Sequence, residues 1–237
     1  MAMTGIFVTA TDTEVGKTFV SGLLVRTFRR RGINAGYFKP VASGCLVRDG
    51  ELVAEDLLAV EHLTGERMDQ GLHCPVRYQN SMAPYTASRL EDRPFSMDAV
   101  ARSLERLKSA YPVLVVEGIG GVMVPLDRDY RVLDMMADMR FPALVAARPG
   151  LGTINHTLLT LAALKRKGIP VLGFLTTGHR AEDDPAAMTG PAVISEFSGV
   201  ACLGHIPLYD PEKTDMDAFV ERSAPFLSQL VDRVRPR

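Results

Sequence analysis

Two hydrophobic periodicities alternate along this chain. Short β-branched or aliphatic runs recur at Ile6-Phe7-Val8-Thr9, Ala35 to Phe38, Val113 to Val116, Ala143 to Ala147, Val171 to Thr176 and Cys202 to Ile206, and each reads as a strand. Between them, apolar positions three and four apart predict helices over Lys17 to Arg31, Leu52 to Leu63, Asn80 to Leu90, Ser96 to Ala110, Val132 to Met139, Thr153 to Lys167, Pro185 to Ser198 and Met216 to Val234, the last interrupted by Pro225. Phe19, Leu23, Leu24 and Phe28 share one face of the first helix, and Gly32 is placed to end it. Ser96 and Asp98 suit a helix start, and Pro84 fits a first helical turn. Arg48 to Glu51 reads as a polar turn, and residues 66–95, with Pro75, Pro84 and Pro94, read as either a substrate-facing lid or a packed loop. Strands alternating with helices specify an α/β fold with a parallel sheet. The wholly apolar run Val113 to Val116 is its central strand, buried on both faces.

The first strand runs into Ala10-Thr11-Asp12-Thr13-Glu14-Val15-Gly16-Lys17-Thr18. A loop closing on Gly-Lys-Thr at a helix N-terminus is suited to phosphate, because backbone N–H groups and the positive end of the helix dipole face the anion. Lys17 adds a mobile charge and the Thr18 hydroxyl can reach a magnesium ion. The usual pattern has a glycine five residues before Gly16, where this chain carries Thr11.

Composition narrows the function classes. The 237 residues are 46% apolar with a formal charge of −1, which fits one α/β domain spanning 1–237 and gives no general attraction for nucleic acid or anionic lipid. No secretory leader or membrane-spanning run is read in the sequence, so a cytoplasmic protein is expected. Cys45, Cys74 and Cys202 suit neither a disulfide framework nor a zinc site and read as reduced thiols. The C-terminal helix, with Phe219, Val220, Phe226, Leu227, Leu230 and Val231, has too few basic residues for lipid and should dock on the sheet.

Further chemistry gathers at predicted strand ends, the edge where α/β sheets bind ligands. Lys39 follows the second strand and is a candidate second cation, with a solvated loop lysine as the alternative. Glu117 ends the central strand, where a carboxylate needs a cation, and a metal held by Thr18 would supply one. Spacing does not separate Asp56 from Glu55. Arg148 to His156 forms a second glycine-rich strand-to-helix junction able to hold an anion, and His156 reads as structural.

Four segments in order resemble the dethiobiotin synthetases: Val8-Thr9 with Thr11 to Thr18, Gly36 to Gly44, Val116 to Gly121, and Gly152 to His156. The resemblance implies a three-layer, P-loop NTPase-like fold with a mostly parallel, seven-stranded sheet and helices on both faces. It also implies a homodimer that closes the ureido ring from 7,8-diaminononanoate, CO2 and MgATP, with ATP or another nucleoside triphosphate as phosphate donor.

By position, the resemblance assigns Thr18, Asp56 and Glu117 to magnesium and makes Lys17 and Lys39 the catalytic, phosphate-stabilising cations. It puts Glu14, Val15, Gly16, Lys17, Thr18, Phe19, Asp56, Glu117, Gly118, Ile119 and Gly120 around the nucleotide, with Thr177, Gly178, Pro207, Leu208 and Tyr209 about its base. Thr13 and Ser43 fall beside the diamine, and Gly152, Thr153, Ile154 and Asn155 would bind the carboxylate of the neighbouring subunit's substrate. The chain departs from the family at Ala10, for a loop glycine, and at Thr177-Gly178, for an Asn-Asp pair that reads adenine. The rival readings on this fold are an amidoligase and a partition-type nucleotide switch. The first lacks a glutaminase domain here, and the second lacks its early loop lysine and basic tail.

Overall fold

The computed structural model describes residues 4–178, 184–210 and 212–234. Six strands form the main sheet: β1 (Thr4–Ala10), β2 (Ala35–Phe38), β3 (Val113–Gly121), β4 (Ala143–Ala147), β5 (Val171–Thr177) and β6 (Cys202–Ile206). They lie in the order β6-β5-β4-β1-β3-β2, every neighbouring pair parallel. The expectation of seven strands is corrected to six among the described residues. The additional extended segments pair locally instead: Val41–Ala42 with Val76–Arg77, Leu46–Arg48 with Glu51–Val53, and Pro125–Asp127 with Tyr130–Arg131.

Alternation along each buried strand divides the core. On one face Ile6, Val8, Val115, Leu144 and Leu175 meet Val20, Leu23 and Leu24 of α1 (Lys17–Arg30) and Leu227, Leu230 and Val231 from the C-terminal end. On the other, Phe7, Leu114, Val116, Val145 and Phe174 pack with α3 (Met97–Ala110), α4 (Val132–Met139), α5 (Thr153–Arg166) and α6 (Pro185–Ser198). The remaining helix of the first three, α2 (Glu55–Thr64), lies against α1. With helices covering both faces, strand after strand can be apolar throughout.

Local chemistry explains where the boundaries differ from expectation. Arg48 to Glu51 is the tip of a hairpin, because Asp49 and Gly50 both take positive φ, 52° and 80°, the geometry of a tight two-residue turn. That hairpin draws in Leu52 and Val53, so α2 starts at Glu55. The helix expected from Asn80 spans only Pro84–Leu90, with Pro84 in its first turn and Ala83 held extended ahead of it. Ser96 caps α3 by accepting from the Ala99 N–H at 3.1 Å.

The C-terminal segment forms two helices, α7 (Met216–Ser223) and α8 (Pro225–Arg233), broken where the proline cannot continue the first. They dock as expected: Leu227 and Val231 are fully buried, and Arg26 of α1 pairs with Asp217 at 2.6 Å. Leu227→Ala should lower the unfolding free energy by about 2–5 kcal/mol, read as a lower urea midpoint at unchanged slope. Gln229→Ala on the exposed face should stay within about 0.5 kcal/mol.

Candidate active site

The chain order reverses about β1: β2 and β3 lie to one side, β4 to β6 to the other. A crevice therefore opens at the carboxyl ends of the strands. The loop leaving β1 turns into α1 at Gly16, whose φ of 92° is left-handed, a conformation glycine adopts without strain. A Cβ at Gly16 would lie 3.1 Å from Thr177 Oγ1. No acidic residue occupies the first turn of α1, leaving its positive end open to an anion.

Five predicted side chains converge at this crevice. Thr18 Oγ1 lies 2.8 Å from Asp56 Oδ1 and 2.9 Å from Glu117 Oε1. Lys39 Nζ donates to Glu117 Oε1 at 2.6 Å, to the Gly118 carbonyl at 3.1 Å and to Asp56 Oδ1 at 3.2 Å. Lys17 Nζ donates back to the Asp12 carbonyl at 3.0 Å. The structure also separates the two acidic neighbours on α2, since Glu55 is exposed while Asp56 faces Lys39 and Thr18. The start of α2 is fixed by Gln70, whose side chain accepts from the Ala54 N–H at 2.9 Å.

Burial and mutual charge set the protonation of this group. Burial, reinforced by the charge of Lys39, lowers Lys17 to a pKa of about 8. Burial opposes the charge on Lys39 as well, but the Glu117 and Asp56 carboxylates outweigh it and raise its pKa. Burial also works against ionised Asp56, yet the Lys39 charge and the Thr18 hydroxyl hold it below the ordinary range. Glu117 is raised by its own burial, with repulsion from Asp56 adding to the effect against the pull of Lys39.

A cavity of about 400 Å³ covers the cluster, lined by Thr13, Glu14, Gly16, Lys17, Thr18, Lys39, Ser43, Asp56, Ser81, Glu117, Ile119 and Gly120. A larger groove of about 670 Å³ borders Leu158, Phe197 and Val200, at the opposite end of β5. Its one ionisable side chain is Lys165, so it lacks the chemistry of the crevice. The donors in the crevice are two carboxylates and a hydroxyl, and no group of three His, Cys, Asp or Glu suited to metal occurs among the described residues. An oxygen-only set with two carboxylates fits magnesium that arrives with phosphate oxygens and water completing its shell.

The other predicted residues divide into two groups. Val15 is buried beneath the loop, and its carbonyl accepts the Thr177 hydroxyl; Gly178 N donates to the Ile206 carbonyl at 3.0 Å. Phe19, Tyr209 and Phe219 form an aromatic cluster at the start of α1, with ring centroids 5.1–6.1 Å apart. Pro207 and Leu208 follow β6, and Leu208 is exposed. Gly152, Thr153, Ile154 and Asn155 stand at the start of α5 and do not line this cavity. Thr153 is buried with its hydroxyl against that of Thr157 at 3.4 Å, whereas Asn155 and His156 face outward. Residues 66–95 are packed: Val76–Arg77 pairs with Val41–Ala42, and Gly44 lies against Ser81.

Two residues at the crevice, Tyr37 and Ser81, have no role in the sequence reading, and a third, Arg148, enters it only as the start of the second glycine-rich junction. Tyr37 donates its hydroxyl to Glu117 Oε2 at 2.7 Å. Its signal was available, since it lies two residues before Lys39 and so shares its face. Arg148, at the end of β4, reaches the Thr13 carbonyl at 3.2 Å and Asp12 Oδ2 at 3.4 Å. Ser81 lies in the irregular segment, where no periodicity marks it.

Comparison with known proteins gives the family and the fold. A family described as an AAA domain matches residues 4–213. The chain is 39% identical over 211 residues to an ATP-dependent dethiobiotin synthetase BioD of Thermodesulfovibrio yellowstonii, covering 86% of this chain and 88% of that one. A protein of the same name from Akkermansia muciniphila is 39% identical over 220 residues, covering 93% and 99%. Among solved structures, the MinC:MinD cell division complex of Aquifex aeolicus aligns at TM-score 0.57 and 13% identity, covering 97% of this chain and 95% of that one. A ParA family ATPase of Chlorobium tepidum aligns at 0.55 and 14%, covering 98% of each. At such identities the structural likeness is one of fold alone. The sequence relatives go further, and the chain belongs to the ATP-dependent dethiobiotin synthetase family.

Proposed function

We infer that this chain is one P-loop domain, residues 1–237, that closes the ureido ring of dethiobiotin from 7,8-diaminononanoate, CO2 and ATP in the cytoplasm. The observation that supports it most is the meeting of Lys17, Lys39, Thr18, Asp56 and Glu117 in one cavity at a helix N-terminus. One amine of the diamine captures CO2 as a carbamate. A carbamate oxygen attacks the γ-phosphorus of ATP and ADP leaves, forming a carbamic-phosphoric anhydride. The second amine then attacks the carbamoyl carbon, and phosphate departs as the ring closes.

The obstacle is repulsion between two anions, and the work of the site is positioning and charge compensation. The loop N–H groups and Lys17 take the phosphates, for which Lys17 exchanges the Asp12 carbonyl for a phosphate oxygen. Lys39, held charged by its carboxylate partners, presents a cation where the carbamate meets the phosphate. Thr18, Asp56 and Glu117 would hold magnesium, which offsets phosphate charge when bound. Thr13 and Ser43 wall the cavity on the diamine side. No protein nucleophile is needed, in keeping with burial raising the thiol of Cys45 to about 11.

We assign Gly152 to Asn155 to the substrate carboxylate of a second copy in a homodimer. Support comes from exposed apolar side chains at and along that helix: Leu151, just before its start, is 98% exposed, and Leu159 on the helix itself 63%. Such side chains gain by pairing with another copy. Thr177-Gly178 lies beside the loop that carries the phosphates, and the Thr177 hydroxyl is held by Val15. Base choice therefore belongs in the same test as activity.

Phosphate release from MgATP and bicarbonate should depend on the diamine and match dethiobiotin formed, with CTP and GTP in parallel to show how strictly the base is read. Hydrolysis indifferent to the diamine would overturn the assignment. Lys39→Gln should lower kcat by about 100- to 1,000-fold, the cost of losing one preorganised charge at a transition state, with a smaller change in KM for ATP.

Lys17 also predicts a pH dependence. In the free protein it loses its charge at about pH 8, and a bound phosphate favours the charged form, so binding near and above that pH takes up protons. ATP affinity should be flat on the acid side of this value and fall as pH rises through it, approaching about tenfold per unit. Calorimetry across the range in buffers of different ionisation enthalpy would show the proton uptake, and a flat profile would count against the charge on Lys17.

A further inference from the structure

Tyr37 is a fully buried phenol that belongs to none of the loop, cation or carboxylate groups described above. It sits on β2 opposite Val115 of β3, and Glu117 follows two residues later on the same face of β3. Adjacent parallel strands thus bring the ring alongside the carboxylate, and the hydroxyl donates to Glu117 Oε2 at 2.7 Å. The other oxygen, Oε1, takes Lys39 at 2.6 Å and Thr18 at 2.9 Å. The two oxygens therefore face different environments: Oε2 is tied back into the sheet, while Oε1 is turned toward Thr18 and Asp56. A phenylalanine would fill the same core volume. The hydroxyl adds one thing, a fixed orientation for a buried carboxylate at the floor of the phosphate cavity.

We propose that Tyr37 is a positioning residue that locks Glu117 to offer a single oxygen, Oε1, to the divalent cation accompanying the nucleotide. The proposal rests on the reading of Glu117 as a metal ligand. Partners of this kind around ligating carboxylates commonly change metal affinity by about 10- to 100-fold.

The test uses the full-length enzyme, with Mn2+ as the paramagnetic probe and ADP as the nucleotide, and Mn2+ binding is read from the free-ion signal. Tyr37→Phe should weaken Mn2+ about 10- to 100-fold, leave metal-free ADP binding within about twofold, and recover kcat as Mg2+ is raised. Glu117→Gln is run beside it. If Glu117→Gln weakens Mn2+ and Tyr37→Phe does not, Tyr37 is only a packing residue and the proposal is overturned. If Glu117→Gln leaves Mn2+ affinity unchanged, the ligand assignment itself fails, and the proposal with it.

A second measurement needs no change at Tyr37. With the six tyrosines labelled at Cζ, one resonance of the unaltered enzyme should be displaced by Glu117→Gln, and the same one should move when Mg2+ and ADP bind. Failure of that resonance to respond to Mg2+ with ADP overturns the proposal even if Tyr37→Phe does not fold.

Discussion

Everything at the crevice depends on the ion pair between Lys39 and Glu117, whose side chains are 4% and 0% exposed. Neither charge is tolerable there alone. Removing one member of a buried pair typically costs about 3–5 kcal/mol, because the survivor is left uncompensated. The sheet pins both partners, Lys39 just past β2 and Glu117 in β3 opposite Val8 of β1. Parallel strands end on the same side, so the topology itself brings the two charges together.

Two cations, Lys17 and Lys39, face two carboxylates, Asp56 and Glu117, so the four formal charges cancel. An incoming triphosphate finds a site whose lysines are already engaged, Lys39 by the carboxylates and Lys17 by the Asp12 carbonyl. With the four side-chain charges balanced, further compensation of the phosphates would come from the helix N-terminus, from the loop N–H groups and from a cation that travels with the nucleotide, beside the contact Lys17 makes on leaving the Asp12 carbonyl. The carboxylates that hold Lys39 in the resting state are the groups such a cation would engage. The same atoms hold the ammonium group in place and would supply the donors to such a cation, so the cluster is compact.

Much of this was legible in the sequence because it follows from local pattern. The strand-loop-helix around Gly16-Lys17-Thr18, Lys39 at a strand end and Glu117 after an apolar run each need only periodicity and position. What pattern and spacing alone leave open depends on rotation or on distant contacts, even where, as at Asp56, the resemblance supplies the assignment. Glu55 and Asp56 are adjacent on one helix, and only the packing of α2 on α1 turns one outward and the other to Thr18. Leu52 and Val53 read as helix until the Asp49-Gly50 turn claims them for a hairpin. Thr177 falls where a base-reading residue was expected, yet its hydroxyl braces Val15, a contact across 162 residues that no spacing discloses.

The reaction is not decided by the sheet, since a chain named for cell division and a ParA family ATPase share it at 13–14% identity. After β2 this chain builds a wall. Beyond Lys39, Val41–Ala42 pairs with Val76–Arg77, and the Cys45 N–H donates to the Tyr78 carbonyl at 2.9 Å. Gly44, at a φ of 75°, turns close to Ser81, where a Cβ would stand 3.3 Å from the serine. The segment read as irregular is thereby fastened to the strand end that carries Lys39, and Ser43 and Ser81 line the cavity across from Gly16 and Lys17. A phosphate loop on one side and a hydroxyl-lined wall on the other, with buried charges between, form an enclosure for two reactants. A nucleotide switch would need only the first side. The second implies a small polar molecule held against the phosphates, and that is the physical content of the synthetase reading.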